Sequence, residues 1–171
     1  MSRVLAAVCV AWSMAAPSWA SAAGFRHVRS SSPEVRALVE EGYRQSATMR
    51  GMVDDLEAAS IIVYIEPAVG LSGGRHGVLL HKVSGSPALP ILRVLVNTNL
   101  GRAQTISVIA HELQHTLEAV GAGVASAADM TRTFAALDAD HAHDATGFET
   151  EAAREVQARV LSELLGRDGH K

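Results

Sequence analysis

His111-Glu112-Leu113-Gln114-His115 places two imidazoles four positions apart, with a carboxylate beside the first. On a helix, residues four apart lie on one face, one turn above the other, so both rings can reach a single point. Two imidazole nitrogens are ligands that a zinc ion accepts in a tetrahedral shell. Zinc lowers the pKa of its bound water to about 7, and Glu112 is placed to take the proton that water gives up. The chemistry encoded is hydrolysis by an activated water. In a chain with 8 histidines the pattern arises by chance in only about 2% of shuffled sequences, so the spacing is informative. The alternative is two core histidines satisfied by hydrogen bonds. It requires burying two His and a Glu together without an ion, which is costly.

Such a site needs a buried helix. Val108, Ile109 and Ala110 precede the motif, and Thr116 and Leu117 follow it. The helix is expected over 107–121, ended by Gly121 and Gly123. Upstream, Ser32 can cap a helix that starts at Pro33, with Glu34 at its positive end. Val35, Leu38, Val39 and Tyr43 continue it at helical spacing into the late forties. Gly51 is the expected break before a second piece bearing Met52, Val53 and Leu56. "IIVYIEP" (61–67), "GVLLHKV" (77–83) and "ILRVLVN" (91–97) have strand character. "AVGLSGGRHG" is a Gly-rich loop without the context of a phosphate cradle, and "SGSPALP" is a turn. A helix over 125–137 and an acidic, His-bearing loop over 138–147 lead to a last helix over 149–165. The fold class is α+β: an N-terminal helix, a small three- to four-stranded mixed sheet, the motif helix and a C-terminal helix.

Two histidines need a third ligand. Glu118 lies on their face of the helix, but seven residues from His111 is about 10.5 Å along the axis, too far for one straight helix to aim all three at one ion. The last helix offers Glu149, Glu151 and Glu155. At 100° per residue Glu149 falls among Phe148, Ala152, Ala153, Val156, Val160 and Leu164, the face that must pack inward. Glu151 falls on the opposite side with Arg154 and Glu155. A carboxylate in a core needs a partner, and a metal supplies one. If the helix starts only at 149 or 150, Glu149 is instead a solvated first-turn acid.

"VIAHELQHTLE" (108–118) followed by "GFETEAAREVQ" (147–157) resembles the gluzincin metallopeptidases, zincin-fold enzymes whose third zinc ligand is a Glu on a later helix. The metzincin layout does not match, because Gly121 stands where it requires a third ligand. The closest pattern is the "ExEAD" of the CAAX-protease-like branch. The resemblance implies His111, His115 and Glu149 as zinc ligands and Glu112 as the base. It departs at Ala153, where that branch has an Asp supporting a ligand histidine; Asp138, Asp140 or Asp144 could stand in. A shifted register would make Glu151 the ligand and Glu155 its supporter. The resemblance also implies that the strand before the motif helix, "ILRVLVN", forms the edge of the cleft and pairs with an extended substrate. An oxyanion stabiliser is required, with His141, His143, Tyr43 and His81 as candidates.

Residues 1–22 are expected to be a signal peptide: Arg3, an apolar run from Val4 to Ala16, Pro17, then small residues for cleavage near Ser21 or Ala23. The run is shorter than the roughly 20 residues of a spanning helix, so no stable membrane insertion is expected. Losing this segment removes Cys9, Trp12 and Trp19 and leaves a single domain over 23–171 with no cysteine, fit for an oxidising compartment without disulfides. It also removes one positive charge, taking the net charge from −3 to −4. With no basic stripe, nucleic acid is excluded as a partner. Two functions fit. One is an exported, periplasmic or secreted zinc metallopeptidase acting on a peptide or protein substrate. The other is an inactive zincin-like module that uses zinc for stability and binds without cleaving.

Overall fold

The computed structural model describes residues 24–137 and 149–168. The expected signal segment, Asp138, Asp140, His141, His143, Asp144 and Phe148 lie outside the described residues. In chain order the elements are β1 (Val28–Arg29), α1 (Pro33–Gln45), α2 (Ala47–Ala58), β2 (Ile62–Ala68), β3 (Gly77–Leu79), β4 (Ser84–Ser86), β5 (Leu89–Asn97), α3 (Arg102–Gly121), α4 (Ala127–Leu137) and α5 (Glu151–Asp168), with one 3-10 turn at Ser72–Gly74. The chain is α+β with a small mixed sheet. That sheet has five strands, because two short ones escaped the sequence pattern. β1 spans two residues, too few for any periodicity, and "SGSPALP" holds β4 and the start of β5 around Gly85 at φ +83°.

β5 is the centre of the sheet, not its edge. It pairs in parallel with β2 on one side and antiparallel with β3 and β4 on the other. Both rows of its backbone groups are therefore engaged, and a substrate strand cannot add there. β5 alternates, with Leu92, Val94 and Val96 buried and Ile91, Arg93 and Leu95 on the other face. With Val63 and Ile65 of β2, the buried set meets the helices in one core.

The helix over 33 to the fifties breaks at Ser46 and not at Gly51. Ser46 is extended (φ −110°, ψ 123°), and its hydroxyl accepts from Met49 N–H to cap α2. Gly51 sits inside α2. The corner is tight because Gly42 has no side chain: a Cβ there would come within 2.1 Å of Met49 Sδ and 2.7 Å of Ile106. α3 packs against α1, α2, α5, β3 and β5. Its residues 105–113 are buried without interruption, as expected of a helix surrounded by protein. Among the described residues, no helix is long and apolar enough to cross a membrane.

The start of the described chain is pinned by one acid. Glu57, at the end of α2, accepts from the backbone N–H groups of Arg26, His27 and Val28 at 2.9, 2.7 and 2.8 Å. Burial works against its charge, but those three donors outweigh burial and hold its pKa below the ordinary 4.5. A carboxyl with a depressed folded pKa stabilises above its unfolded value and loses that contribution as pH falls through the folded one. Glu57→Gln is therefore expected to destabilise the protein by about 2 kcal/mol at pH 7. The loss should shrink as pH falls below 4.5, as read by denaturant melts at pH 7 and pH 3.

Candidate metal centre

α3 brings His111 and His115 together one turn apart, both buried, at 6% and 4% exposure. Their Nε2 atoms are 3.2 Å apart, and the rings meet edge to face. Glu149 Oε1 lies 3.3 Å from His111 Nε2. One ligand atom from each of the three residues falls within a span of 4.8 Å, so the group could hold a metal ion. The spacing fits the ion expected: two nitrogens bound tetrahedrally at 2.0–2.1 Å stand about 3.3 Å apart. The donor set of two imidazoles and one carboxylate also suits zinc. His111 Nδ1 is buried with no hydrogen-bond partner. The Ala153 backbone favours the protonated form of this ring.

Each charge at the centre is shaped by its neighbours. Burial disfavours protonation of His111, but the Glu149 hydrogen bond and the Glu112 and Glu149 charges outweigh burial and raise its pKa. The same hydrogen bond is the main reason that Glu149 is held below the usual carboxylate range. Glu112 is 4% exposed. Burial pushes its pKa up, partly offset by His115 and His111.

Glu112 faces β3. Hydrogen bonds from Leu80 N–H to Arg93 and from Asn97 N–H to His76 set the register. Gly77 and Leu79 therefore point their backbone groups away from β5, and the Leu79 N–H favours the charged form of Glu112. A Cβ on Gly77 would stand 2.5 Å from Glu112 Oε1 and 2.8 Å from Val108. Gly77 is thus required by the close approach of β3 to the carboxylate. As one glycine in a Gly-rich loop, it carried no such signal in the sequence.

Glu149 reaches the site by a different route from the one its helical position implies. α5 starts at Glu151, and Glu149 precedes it, so the last helix does not carry Glu149. Thr150 caps the helix: its hydroxyl accepts from Ala153 N–H at 3.2 Å, and its carbonyl from Arg154 N–H at 3.3 Å. Glu149 has an exposed side chain, at 51%, and pairs with His111 on one oxygen and with Arg154 on the other. It therefore points to His111 from the site's mouth and not from within a packed helix face. Glu151 pairs with Arg154 at 62% exposure, and Glu155 is exposed, so the shifted register brings neither to the histidines.

The carboxylate that supports a histidine is Glu118. Its Oε2 is 2.9 Å from His115 Nδ1, and its Oε1 accepts from Thr150 at 2.7 Å. Glu118 is too far from His111 to share an ion with it as a ligand. The same spacing, three residues after His115, places it beside that ring. Tyr43 donates its hydroxyl to Asp54 at 2.9 Å and packs on Phe25, so it is committed elsewhere. His81 stacks on Phe134, whose ring stands edge-on to His115 at 5.6 Å. Burial holds the His81 pKa down.

If Glu149 is the third ligand, Glu149→Ala should weaken zinc binding by at least about tenfold and remove the rise in Tm that zinc gives. Glu151→Ala should change neither, because an exposed helix ion pair is worth only tenths of a kcal/mol. Competition titration and thermal melts on both variants decide it.

No family model, no curated protein and no solved structure matches this chain.

Proposed function

We propose that this protein is a zinc-dependent metallopeptidase of the gluzincin type, exported to the periplasm or beyond, that hydrolyses peptide bonds. The reading rests above all on one observation: a buried carboxylate, Glu112, stands on the same helix face region as two histidines whose Nε2 atoms converge with Glu149. Zinc, when bound by His111, His115 and Glu149, would supply acidification of water and polarisation of a carbonyl. Glu112 would accept the proton from the attacking water and pass it to the leaving amine. Its raised pKa suits this, because a base that transfers protons near neutrality works best when its own pKa lies closer to 7.

The strand that could align a substrate is β3 and not β5. On β3 the outward backbone groups of Gly77 and Leu79 lie beside Glu112. An extended peptide paired there would pass the base within reach of the histidines.

In a peptidase, Glu112→Gln should keep zinc but lose cleavage by at least about 100-fold. Gly77→Ala should also keep zinc, while kcat falls by about 100-fold because its Cβ displaces the base. Both are measured by turnover of a peptide library alongside zinc content. Wild-type protein that holds zinc and cleaves nothing would instead identify a zinc-stabilised binding module, and the absence of zinc after reconstitution would overturn both readings.

A further inference from the structure

We infer that Glu118 is the positioning residue of this centre: one carboxylate that sets the ring of His115 and, through Thr150, holds the segment bearing Glu149. Its metal consequence rests on the reading above, but its effect on His115 does not.

The argument starts from what a carboxylate can do. Ionised, it only accepts hydrogen bonds. With Oε2 at 2.9 Å from His115 Nδ1, Glu118 places the proton on that nitrogen. His115 Nε2 is then the lone-pair nitrogen, and it is the one directed at His111 Nε2, 3.2 Å away. The ring is presented in the tautomer a metal requires. The other oxygen does a second task. Oε1 accepts from the Thr150 hydroxyl at 2.7 Å and faces the Gln114 amide at 3.4 Å. Thr150 is the cap of α5 and the neighbour of Glu149, so this bond ties the start of α5 to α3 across 32 residues of sequence. Glu149 has an exposed side chain, and its own backbone does not lie in a helix. Its approach to His111 depends on where Thr150 is held.

This is more than a helix ion pair between residues three apart. Such pairs are solvated and worth little. The Glu118 and His115 side chains are 13% and 5% exposed, and the pair is joined to a second element by a neutral donor. Each oxygen has a separate assignment, and a side-chain amide does not reproduce both. It accepts at one end only, and either His115 or Thr150 must reverse its hydrogen bond.

The test uses the full mature chain, first without metal and then with zinc alone. Nitrogen-15 spectra of the metal-free protein should show His115 protonated on Nδ1. In Glu118→Gln, either that tautomer should be lost or amide exchange at Ala153 and Arg154 should quicken, while circular dichroism shows the fold retained. His115 protonated on Nε2 in the wild type, or a Glu118→Gln protein changed in neither respect, would overturn the inference. With zinc, Glu118→Gln should weaken affinity by about 10- to 100-fold. Thr150→Val should weaken it by about tenfold with the His115 tautomer unchanged, and Thr150→Ser, which keeps the hydroxyl and the cap, should restore it. Wild-type zinc affinity in Thr150→Val would overturn the link to Glu149. If the metal-free results appear as expected and the wild type binds no zinc, the metal reading fails while the control of His115 by Glu118 is supported.

Discussion

The constraint on which this structure turns is that its most buried helix carries two histidines and a glutamate. α3 packs against the sheet and against α1, α2 and α5, and a polar group taken out of water there must be answered by another. One answer comes from the helix itself and two from distant segments of the chain. His115 Nδ1 has Glu118, Glu112 has the outward N–H of Leu79, and His111 Nε2 has Glu149. β3 must therefore approach α3 closely enough for Gly77 to be compulsory, and the chain entering α5 must cross the end of the motif. Only His111 Nδ1, among the buried side-chain polar atoms described, has no partner.

α5 is fastened at two points, both carboxylate to hydroxyl. At its start Thr150 donates to Glu118. Further along, Glu163 accepts from the hydroxyls of Ser46 and Thr48. The two anchors are about 20 Å apart along the helix, so α5 behaves as a strut between the α1–α2 corner and the cluster of His111, His115 and Glu149. Burial opposes the charge on Glu163, and the Ser46 and Thr48 donors outweigh burial to keep its pKa low. The same Ser46 hydroxyl caps α2, so one residue ends α1, starts α2 and receives α5. Val160, between these anchors, and Leu164, just past the second, are both buried in the core.

What was legible in the sequence is what a local pattern can carry. The motif helix, the strands 61–67 and 91–97 and the cap at Ser32 follow from spacing within a few residues. The strand order did not, because the sequence of β5 is equally suited to an edge and to a centre, and pairing on both sides is a fact of topology. Glu149 shows a subtler failure. A helical wheel drew attention to it, yet the wheel does not apply, because Thr150 caps the helix after it. The residue stands beside His111 just ahead of the helix. The spacing of Glu118 from His115 is legible in the sequence, but the spacing alone does not distinguish a ligand from a support for the ring. Gly77 could not have been found without knowing which element faces Glu112.

The two carboxylates nearest the histidines are driven in opposite directions, and the cause is geometric. Glu112 is enclosed by Val108, Gly77 and the body of α3, so burial dominates and pushes its pKa up. Glu149 stands at the mouth with Arg154 on one oxygen and His111 on the other, so hydrogen bonds dominate and its pKa falls. A metal ligand should remain ionised, and a proton carrier should change state near neutrality. An arrangement that only needed to neutralise buried histidines would gain nothing by keeping a second acid as deeply buried as Glu112. The separation of the two environments follows from one short strand and one helix cap: burial acts on Glu112, and hydrogen bonds act on Glu149.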